Sequence, residues 1–348
     1  MKIYVFPADE TGCGYYRLIW PAEVLKKAGH EIVIIEPKQR GMTLRGGLDA
    51  AGNLIDIKQP ADADVMVMQR ITHRHLVQGI PLLRAKGVSV VIDMDDDLAL
   101  IHPANPAFIA MHPKHGHNSD HDWQNAQLAC DAASFVTVST DALIQRYAHH
   151  GRGMVLRNAV PQRYLDIPHT DSRVIGWGGS IHSHPDDLQV VGVGLENVMS
   201  DTTFRVVGPG DHVQKALRLS QTPDVTGVRD IHVGWPNELA RLGIGIAPLA
   251  DTRFNSAKSW LKPLEYMALG VPWVASPRAE YKKLHAEGVG LLANKPRQWA
   301  TQLRKLIDDD VLRNEMSVQG REIAQKLTIE ANAWRWMEAW EAAYKIDH

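Results

Sequence analysis

The segment LGIGIAPLADTRFNSAKSWLKPLEYMALGVPWVAS, Leu242–Ser276, decides the fold class of this chain. Its apolar residues Ile244–Leu249 predict a buried strand, and a polar loop leads from this strand to a short helix. The helix is predicted to begin at Pro263, because proline suits the first helical position, and to end at Gly270. A second apolar strand, Pro272–Ser276, follows directly. Two apolar strands joined by a helix predict a parallel sheet covered by helices.

The same alternation of strand and helix extends along the rest of the chain. Ser139 or Thr140 is suited to cap one helix start, and Gly29 is suited to end another helix. We therefore predict an α/β protein built on doubly wound parallel sheets. The eight further predicted strands are Lys2–Phe6, Glu31–Ile35, Asp64–Gln69, Val88–Asp93, Ser134–Ser139, Arg173–Trp177, Thr203–Gly208 and Gly288–Leu292.

The length of 348 residues favours two domains over a single core. A polar segment with two prolines, Arg157–Ser172, predicts the linker between them. We place one domain at residues 1–160 and the other at residues 161–328, and we expect the tryptophan-rich helix 329–348 to pack back on the first. Ligands bind beyond the carboxyl ends of parallel strands, so two such sheets are expected to face a common cleft.

Composition excludes several functional classes. A net charge of −2 does not indicate nucleic-acid binding through bulk basicity. The sequence contains no run of 18 or more apolar residues, so we predict no membrane-spanning helix and expect no stable membrane insertion. The N-terminus enters a predicted strand without a signal-peptide pattern. Cys13 and Cys130, the two cysteines, lack ligand-like spacing, and we expect a cytoplasmic protein without thiolate metal sites.

The loop and helix after the first quoted strand carry charges suited to a nucleotide. Glu265 is expected in the first turn of the helix, where a carboxylate can accept two hydrogen bonds from a ribose diol. Lys258 and Lys262 precede the predicted helix, where they can compensate a diphosphate together with backbone N–H groups. A capped helix with solvated lysines is the plain alternative for any one of these residues.

This segment resembles the donor-binding region of the large retaining glycosyltransferase family with the GT-B fold, glycosyltransferase family 4 and its relatives. The family carries a Glu-x7-Glu pattern followed by Gly-Pro and a valine-rich strand. Glu265 matches the second glutamate, whereas Ala257 stands at the first. A subgroup with the pattern FN..KS..K.LEY is closer, and the matching residues are Phe254, Asn255, Lys258, Ser259, Lys262, Leu264, Glu265 and Tyr266.

The resemblance implies two Rossmann-like domains and transfer of a hexosyl-type sugar from a nucleotide diphosphate sugar, UDP- or GDP-linked, to an acceptor hydroxyl. It implies retention at the anomeric carbon, so that the leaving phosphate takes the acceptor proton, and no metal or other cofactor. Lys258 and Lys262 would be catalytic, with Lys258 and Ser259 doing part of the work of the missing glutamate. Leu264 and Glu265 would contact the donor.

A second segment, IGWGGSIHSHPDDL, resembles the first strand, turn and helix of the family's C-terminal domain. The resemblance implies that the small residues Gly178, Gly179 and Ser180 let the backbone approach the diphosphate. Many members carry a basic residue shortly after this turn. The candidates here are His182 and His184, with Lys258 or Lys262 as alternatives.

A glycine-containing segment near the N-terminus, Ala8–His30, raises a dinucleotide alternative. Gly12 and Gly14 fit the first two glycines of the G-x-G-x-x-G fingerprint, but Arg17 takes the third position, where a side chain blocks helix–strand packing. The segment also resembles the family's first glycine loop. We therefore expect Gly12, Gly14 and Tyr15 to form a turn at the cleft, and Arg17 to reach a diphosphate or an acceptor.

Four aspartates lie at the end of the strand VVID and directly after it: Asp93, Asp95, Asp96 and Asp97. Crowded carboxylates need cations or backbone donors. Helix capping explains them structurally, whereas their place after a parallel strand favours a site, either for the acceptor or for positioning Arg17 at the cleft. Asp95 and Asp96 are catalytic candidates, because an inverting enzyme would take its base from Asp95–Asp97. Asp97 and His102 are candidates for the acceptor side.

The histidine-rich segment MHPKHGHNSDHDW is predicted to be a polar loop near the acceptor. Its histidines, His112, His115, His117 and His121, lack the fixed spacing of a metal framework. We expect no metal site there, although a metal cluster is the alternative. For the whole chain, the alternatives to a transferase are an inactive nucleotide-binding protein, or an epimerase or phosphorylase, on the same scaffold.

Overall fold

The computed structural model describes residues 1–112, 121–183, 185–228 and 230–348. The chain divides into two compact units. Unit 1 comprises Met1–Pro103, Ala107–Asn158 and Ile329–His348, and unit 2 comprises Ala104–Pro106 and Ala159–Thr328. The change from unit 1 to unit 2 after Asn158 falls inside the polar segment predicted as a linker.

Unit 1 is built on a six-stranded parallel sheet in the order β2-β1-β5-β6-β7-β8. A separate antiparallel hairpin, β3-β4, accompanies it. The strands are β1 (Lys2–Phe6), β2 (Glu31–Ile34), β3 (Arg45–Leu48), β4 (Leu54–Lys58), β5 (Val65–Gln69), β6 (Ser89–Met94), β7 (Phe135–Val138) and β8 (Gly153–Val155).

Unit 2 repeats the architecture with a six-stranded parallel sheet in the order β11-β10-β9-β12-β13-β14. Its strands are β9 (Ile175–Gly178), β10 (Phe204–Val207), β11 (Asp224–Thr226), β12 (Ile244–Ala247), β13 (Trp273–Ala275) and β14 (Leu291–Leu292). All ten predicted strands form, which confirms an α/β fold with two parallel sheets.

Four strands escaped prediction: β3, β4, β8 and β11. Each lies at a sheet edge or in the hairpin, and their side chains are largely exposed or half-buried. These four strands carry few of the continuous apolar residues that reveal a central strand, so hydrophobic patterning misses them.

A π-helical turn, Tyr15–Ile19, joins the first two helices of the chain, and further helices connect the strands of both sheets. The helices are α1 (Gly12–Gly14), α2 (Trp20–Lys27), α3 (Arg40–Thr43), α4 (Arg74–Ala85), α5 (Phe108–Met111), α6 (Asp122–Ala132), α7 (Asp141–Tyr147), α8 (Val213–Leu217), α9 (Gly234–Leu239), α10 (Arg253–Ser256), α11 (Leu261–Ala268), α12 (Ala279–Ala286), α13 (Pro296–Asp308), α14 (Asp310–Lys326), α15 (Ile329–Asn332) and α16 (Trp334–Asp347). Within the described ranges, no helix is long and apolar enough to cross a membrane.

Local signals explain where several helices begin and end. The hydroxyl of Thr140 accepts a hydrogen bond from the N–H of Leu143, so Thr140 rather than Ser139 caps α7. Gly29 follows α2 with a φ of 98°, a left-handed conformation in which glycine carries no Cβ penalty.

The C-terminal helix α16 belongs to unit 1. Trp336 and Trp340 on this helix are almost completely buried in the cluster that contains Ile3, Val5 and Leu18. The indole N–H of Trp336 also donates to the carbonyl of Arg17 at 2.7 Å. The last segment of the chain is therefore part of the core around β1 rather than a surface tail.

Candidate functional site

The candidate site in unit 2 forms where β9 and α11 meet at the carboxyl edge of the sheet. The Gly178 carbonyl, at the end of β9, accepts a hydrogen bond from the ammonium of Lys262. The Gly178 N–H donates to the hydroxyl of Tyr266 at 3.3 Å, and this hydroxyl donates to the carbonyl of Ile246 at 3.1 Å. Two side chains of α11 thus fix the turn that contains Gly178, Gly179 and Ser180.

Helix α11 begins at Leu261, two residues before the predicted start at Pro263. Proline is tolerated at this third position because the first N–H groups of a helix have no intrahelical partner. Lys262 therefore lies inside the helix rather than before it. Glu265 is the fifth helical residue and falls beyond the first turn, which corrects that prediction. Gly270 ends the helix as predicted, with a φ of 73°.

Glu265 is a buried acidic residue of this site. Its side chain is only 4% exposed, and Oε1 accepts a hydrogen bond from the indole N–H of Trp235 at 2.8 Å. Trp235 lies on α9. Sequence reasoning missed Trp235, because no local pattern links a tryptophan to a carboxylate 30 residues away.

The ammonium of Lys262 is held in a partly apolar environment. Burial lowers the pKa of Lys262 from its usual 10.5, while the nearby carboxylates of Glu265 and Asp187 act in the opposite direction. The ammonium also lies 5.5 Å from the centre of the Trp177 ring. A cation that is incompletely solvated interacts strongly with an arriving anion.

A buried carboxylate, Asp187, holds the loop that leads to the lysines. Its Oδ1 accepts hydrogen bonds from the Ala250 N–H at 2.8 Å and from the Asn255 amide at 2.6 Å. Lys258 follows this loop, with its ammonium 4.6 Å from the centre of the Phe254 ring. Asp187 lies in the quoted sequence HPDDL but was not assigned a role there.

Three predicted donor residues have different surroundings. Ser259 is half-buried. The Leu264 side chain is completely buried in the core, so only its backbone is placed for a donor contact. His184 lies outside the described residues. His182 is exposed, and its Nε2 lies 4.0 Å from a carboxylate oxygen of Asp211.

A cavity of about 630 Å³ opens beyond β10 and β11, beside α9. Asp230 shapes one wall, because its carboxylate accepts hydrogen bonds from the N–H groups of His232, Val233 and Gly234. These backbone donors lower the pKa of Asp230. Gly234 and Glu238, which line the cavity, flank Trp235 on α9. The lining residues are Gly208, Pro209, Thr226, Gly227, Val228, Asp230, Gly234 and Glu238.

In unit 1, Arg17 is a structural residue. The side chain is 1% exposed, and it forms a bidentate ion pair with Asp93 at 2.7 and 3.1 Å. It also donates to the carbonyl of Leu156 and to the side chain of Asn158. A guanidinium with this burial joins strand ends and does not reach a diphosphate or an acceptor, contrary to our expectation.

The remaining aspartates of the run also have partners. Arg70 contacts the carboxylates of both Asp95 and Asp96, and its Nη2 lies 3.2 Å from the Cys13 sulfur. Arg70 has a φ of 51°, which is uncommon for a residue with a side chain. Asp97 accepts a hydrogen bond from the Ala99 N–H at 3.2 Å, so it caps a short 3-10 helix.

The predicted glycine turn is helical. Gly12 and Gly14 form α1, and the π-helical turn follows directly, so this segment is a helix start rather than a loop. A Cβ on Gly14 would lie 1.8 Å from the Asp9 carbonyl oxygen, which explains a glycine there by close packing. The Tyr15 ring is half-buried and contacts Trp20, with 5.2 Å between ring centres.

The histidine prediction is covered only in part. His115 and His117 lie outside the described residues, whereas His102, His112 and His121 are half-buried. Across the part of the chain that the structure describes, no group of three or more His, Cys, Asp or Glu side chains could hold a metal ion.

Comparison with known sequences finds a family match within unit 2. Residues 172–309 match the model of the family described as glycosyl transferases group 1. This segment contains β9 to β14 and the Glu265, Lys262 and Trp235 cluster. The predicted resemblance to group 1 glycosyltransferases is therefore confirmed. No curated protein sequence matches the chain.

Solved structures with the same fold extend over both units. Anabaena Alr3699/HepE, in a complex with UDP and glucose, aligns with a TM-score of 0.66 at 15% identity over 97% of this chain and 98% of that chain. A glycosyltransferase from Rickettsia africae aligns at 0.64, with 12% identity and 99% coverage of both chains. Sucrose-phosphate synthase from Thermosynechococcus elongatus aligns at 0.64, with 10% identity and 98% coverage of both chains. The chain thus has the GT-B fold of these glycosyltransferases.

Proposed function

We propose, from the match of residues 172–309 to the group 1 glycosyltransferases, that this protein transfers a sugar from a nucleotide diphosphate sugar to an acceptor hydroxyl. The observation that carries the proposal is the buried Glu265 carboxylate, which Trp235 orients on a helix that also supplies Lys262. This constellation lies within the matched segment, at the edge of the sheet where α/β proteins bind ligands.

The roles in donor binding follow from the chemistry of each group. Glu265 would accept hydrogen bonds from the ribose diol, since an ionised carboxylate is a pure acceptor. The cavity of about 630 Å³ beside α9 has the size of a ligand pocket and would hold the nucleoside. The backbone at Gly178, Gly179 and Ser180 would lie against the diphosphate.

Lys262 and Lys258 would stabilise the negative charge that develops on the leaving diphosphate. Preorganised cations at the position of developing charge are usually the largest contribution to catalysis. Lys262 is already fixed by the Gly178 carbonyl, so little reorganisation is required when the donor binds. We propose that donor binding requires no divalent metal, because the lysines supply the compensating charge.

We propose UDP as the nucleotide, with GDP as the alternative. Anabaena HepE, which shares the fold, was crystallised with UDP and with UDP-glucose. We also propose retention of the anomeric configuration, with the leaving phosphate taking the acceptor proton. Inversion would instead require a base from Asp95–Asp97, where Arg70 already contacts the first two carboxylates.

Calorimetric titration of the full chain with UDP tests the donor site. Substitution of Glu265 by Gln removes the charged acceptor for the ribose, and we expect UDP affinity to fall about tenfold or more, the loss typical of a charged hydrogen bond. Lys262→Gln should cost a similar factor. The matched controls are Glu322→Gln and Lys305→Gln, which alter exposed residues elsewhere in the chain.

Unchanged UDP affinity in both site variants would contradict this assignment. Analysis of the reaction products by NMR then separates the enzyme classes. A new glycoside with the anomeric configuration of the donor supports a retaining transferase. A changed sugar on intact UDP indicates an epimerase, and release of a sugar phosphate indicates a phosphorylase. Binding without any product indicates an inactive scaffold, which Ala257 at the first glutamate position favours.

A further inference from the structure

A second cavity lies entirely within unit 1, between helices α4 and α6. Its volume is about 440 Å³, within the range of small-molecule pockets. Helix α4 follows β5 and begins with Arg74, and α6 follows β6 along the chain. Because helices that follow parallel strands begin near the carboxyl edge of the sheet, the cavity lies at the edge where ligands bind.

The cavity is lined by a buried amide whose NH₂ group has no hydrogen-bond partner among the described residues. Asn125 is only 8% exposed, and its Nδ2 has no hydrogen-bond partner among the described residues. The Nδ1 of His121, on the same wall, is also buried without a partner there. A buried donor without a partner costs about 1–3 kcal/mol, so the site favours a bound water or ligand atom that accepts from it.

The charge around the cavity is suited to an anion. Arg74 lines it, and no carboxylate of the described residues pairs with this guanidinium. The other polar lining residues are the neutral Gln78 and Gln124. No side chain caps the N-terminus of either helix, although the Gln124 N–H in the first turn of α6 already donates to the His121 carbonyl at 2.9 Å. Asp122, the first residue of α6, carries the opposing charge and does not line the cavity.

We propose that this cavity binds an oxyanionic group, a carboxylate or a phosphate, carried by the sugar acceptor. Arg74 would supply the charge and the Asn125 amide a buried donor, while the glutamine amides would bind neighbouring hydroxyl groups. Gln78 retains its NH₂ group for this purpose, because its Oε1 accepts a bond from the Leu54 N–H at 3.3 Å. Calling the ligand an acceptor depends on the proposed transferase function, whereas anion binding does not.

Thermal unfolding of the full chain with three sugars tests the binding step. Glucuronate and glucose 6-phosphate carry the two anions, and glucose is the neutral control. A ligand of the folded state raises the unfolding temperature. We expect a rise with at least one anionic sugar and none with glucose at the same concentration. A response to glucuronate alone identifies a carboxylate, and a response to glucose 6-phosphate alone identifies a phosphate.

Two substitutions locate the response. Arg74→Gln removes the charge, and we expect at least tenfold weaker binding of the active sugar. Asn125→Leu keeps the approximate side-chain volume, so the unfolding temperature without ligand should be unchanged or higher, while the response to the anionic sugar is lost. The control Arg45→Gln removes an exposed charge on β3 and should leave the response intact. An equal response in all four proteins, or no response in the wild type, would overturn the proposal.

Release of UDP from a UDP-sugar tests the connection to the acceptor. We expect acidic glycosides to stimulate release more than their neutral counterparts, and Arg74→Gln to abolish this preference while UDP affinity stays unchanged. Equal stimulation by both classes would contradict the acceptor role. If the proposed transferase function is wrong, UDP will not bind, but the anionic sugars will still raise the unfolding temperature. This result differs from the one expected if only the anion site is wrong.

Discussion

At the scale of single residues, the donor site depends on how Lys262 and Glu265 are held. Lys262 is placed by the Gly178 carbonyl, and Glu265 by the Trp235 indole. Both anchors are contacts between distant segments. The sequence supports the choice of the lysine and the glutamate through the LEY pattern, but it does not reveal either anchor, because each depends on the folded sheet.

The lowered pKa of Lys262 predicts the pH dependence of donor binding. The protonated amine attracts the diphosphate, so UDP affinity is highest below this pKa and falls as pH rises through it. Burial shifts that fall to lower pH than an exposed lysine would give. Lys262→Arg keeps its charge, so its affinity should decline less between about pH 7 and about pH 10. Calorimetry of both proteins over this range measures the difference, and parallel curves would refute the role of Lys262.

Residue-level prediction failed for Arg17 for a definite reason. A basic residue near a glycine pair resembles a phosphate contact, and positioning of Arg17 by the aspartate run was only an alternative. The contacts of Arg17 with Leu156 and Asn158 depend on the folded sheet. The need of the crowded aspartates for cations was inferred correctly in principle. The partner of Asp95 and Asp96, Arg70, was not identified, because it lies 25 residues earlier in the chain.

At the scale of elements, helix α11 joins the site to the core of unit 2. Its end is set by Gly270, where the Gly270 N–H bonds to the Met267 carbonyl and the Val271 N–H to the Tyr266 carbonyl. This pattern terminates the helix with a left-handed glycine. The glycine that terminates α11 was predicted correctly, although the last helical residue is Ala268. The start was placed two residues late because proline is also compatible with the third position.

Substitution of Gly270 by alanine should destabilise unit 2 by about 1–3 kcal/mol, the usual cost of a left-handed residue with a side chain. An added Cβ would also lie 2.6 Å from the Arg321 side chain. Gly41→Ala is the control, because Gly41 has open space around it, and we expect a change of less than about 1 kcal/mol. Urea denaturation measures both, and equal effects would refute the role given to Gly270.

At the scale of the whole molecule, both parallel sheets were predictable because their central strands are continuous apolar runs. The edge strands β8 and β11 and the hairpin were not, because their side chains are largely exposed or half-buried. The C-terminal helix α16 packs in unit 1, where it contacts β5, β6 and β7. We expected residues 329–348 to pack on the first domain because this segment is rich in tryptophan. The spacing of the tryptophans does not identify the surface that they cover.

Removal of the Trp340 ring should therefore loosen unit 1. Trp340→Ala creates a cavity in a fully buried site, and the expected loss is about 3–5 kcal/mol. Hydrogen exchange should show lower protection in β1, β5 and β6, with β9 to β13 unaffected. Trp334→Ala on the same helix is the control, because Trp334 is 59% exposed. Loss of protection in unit 2 alone would contradict the assignment of α16 to unit 1.

The measurement that tests the central claim most directly is thermal unfolding of the wild type and Glu265→Gln with UDP, GDP, ADP and NAD, with and without divalent metal. A ligand of the folded state raises the unfolding temperature. We predict a rise for the wild type with UDP that is independent of metal and is lost in Glu265→Gln. A rise with NAD alone, or an equal rise with UDP in both proteins, would contradict a nucleotide-sugar site at Glu265.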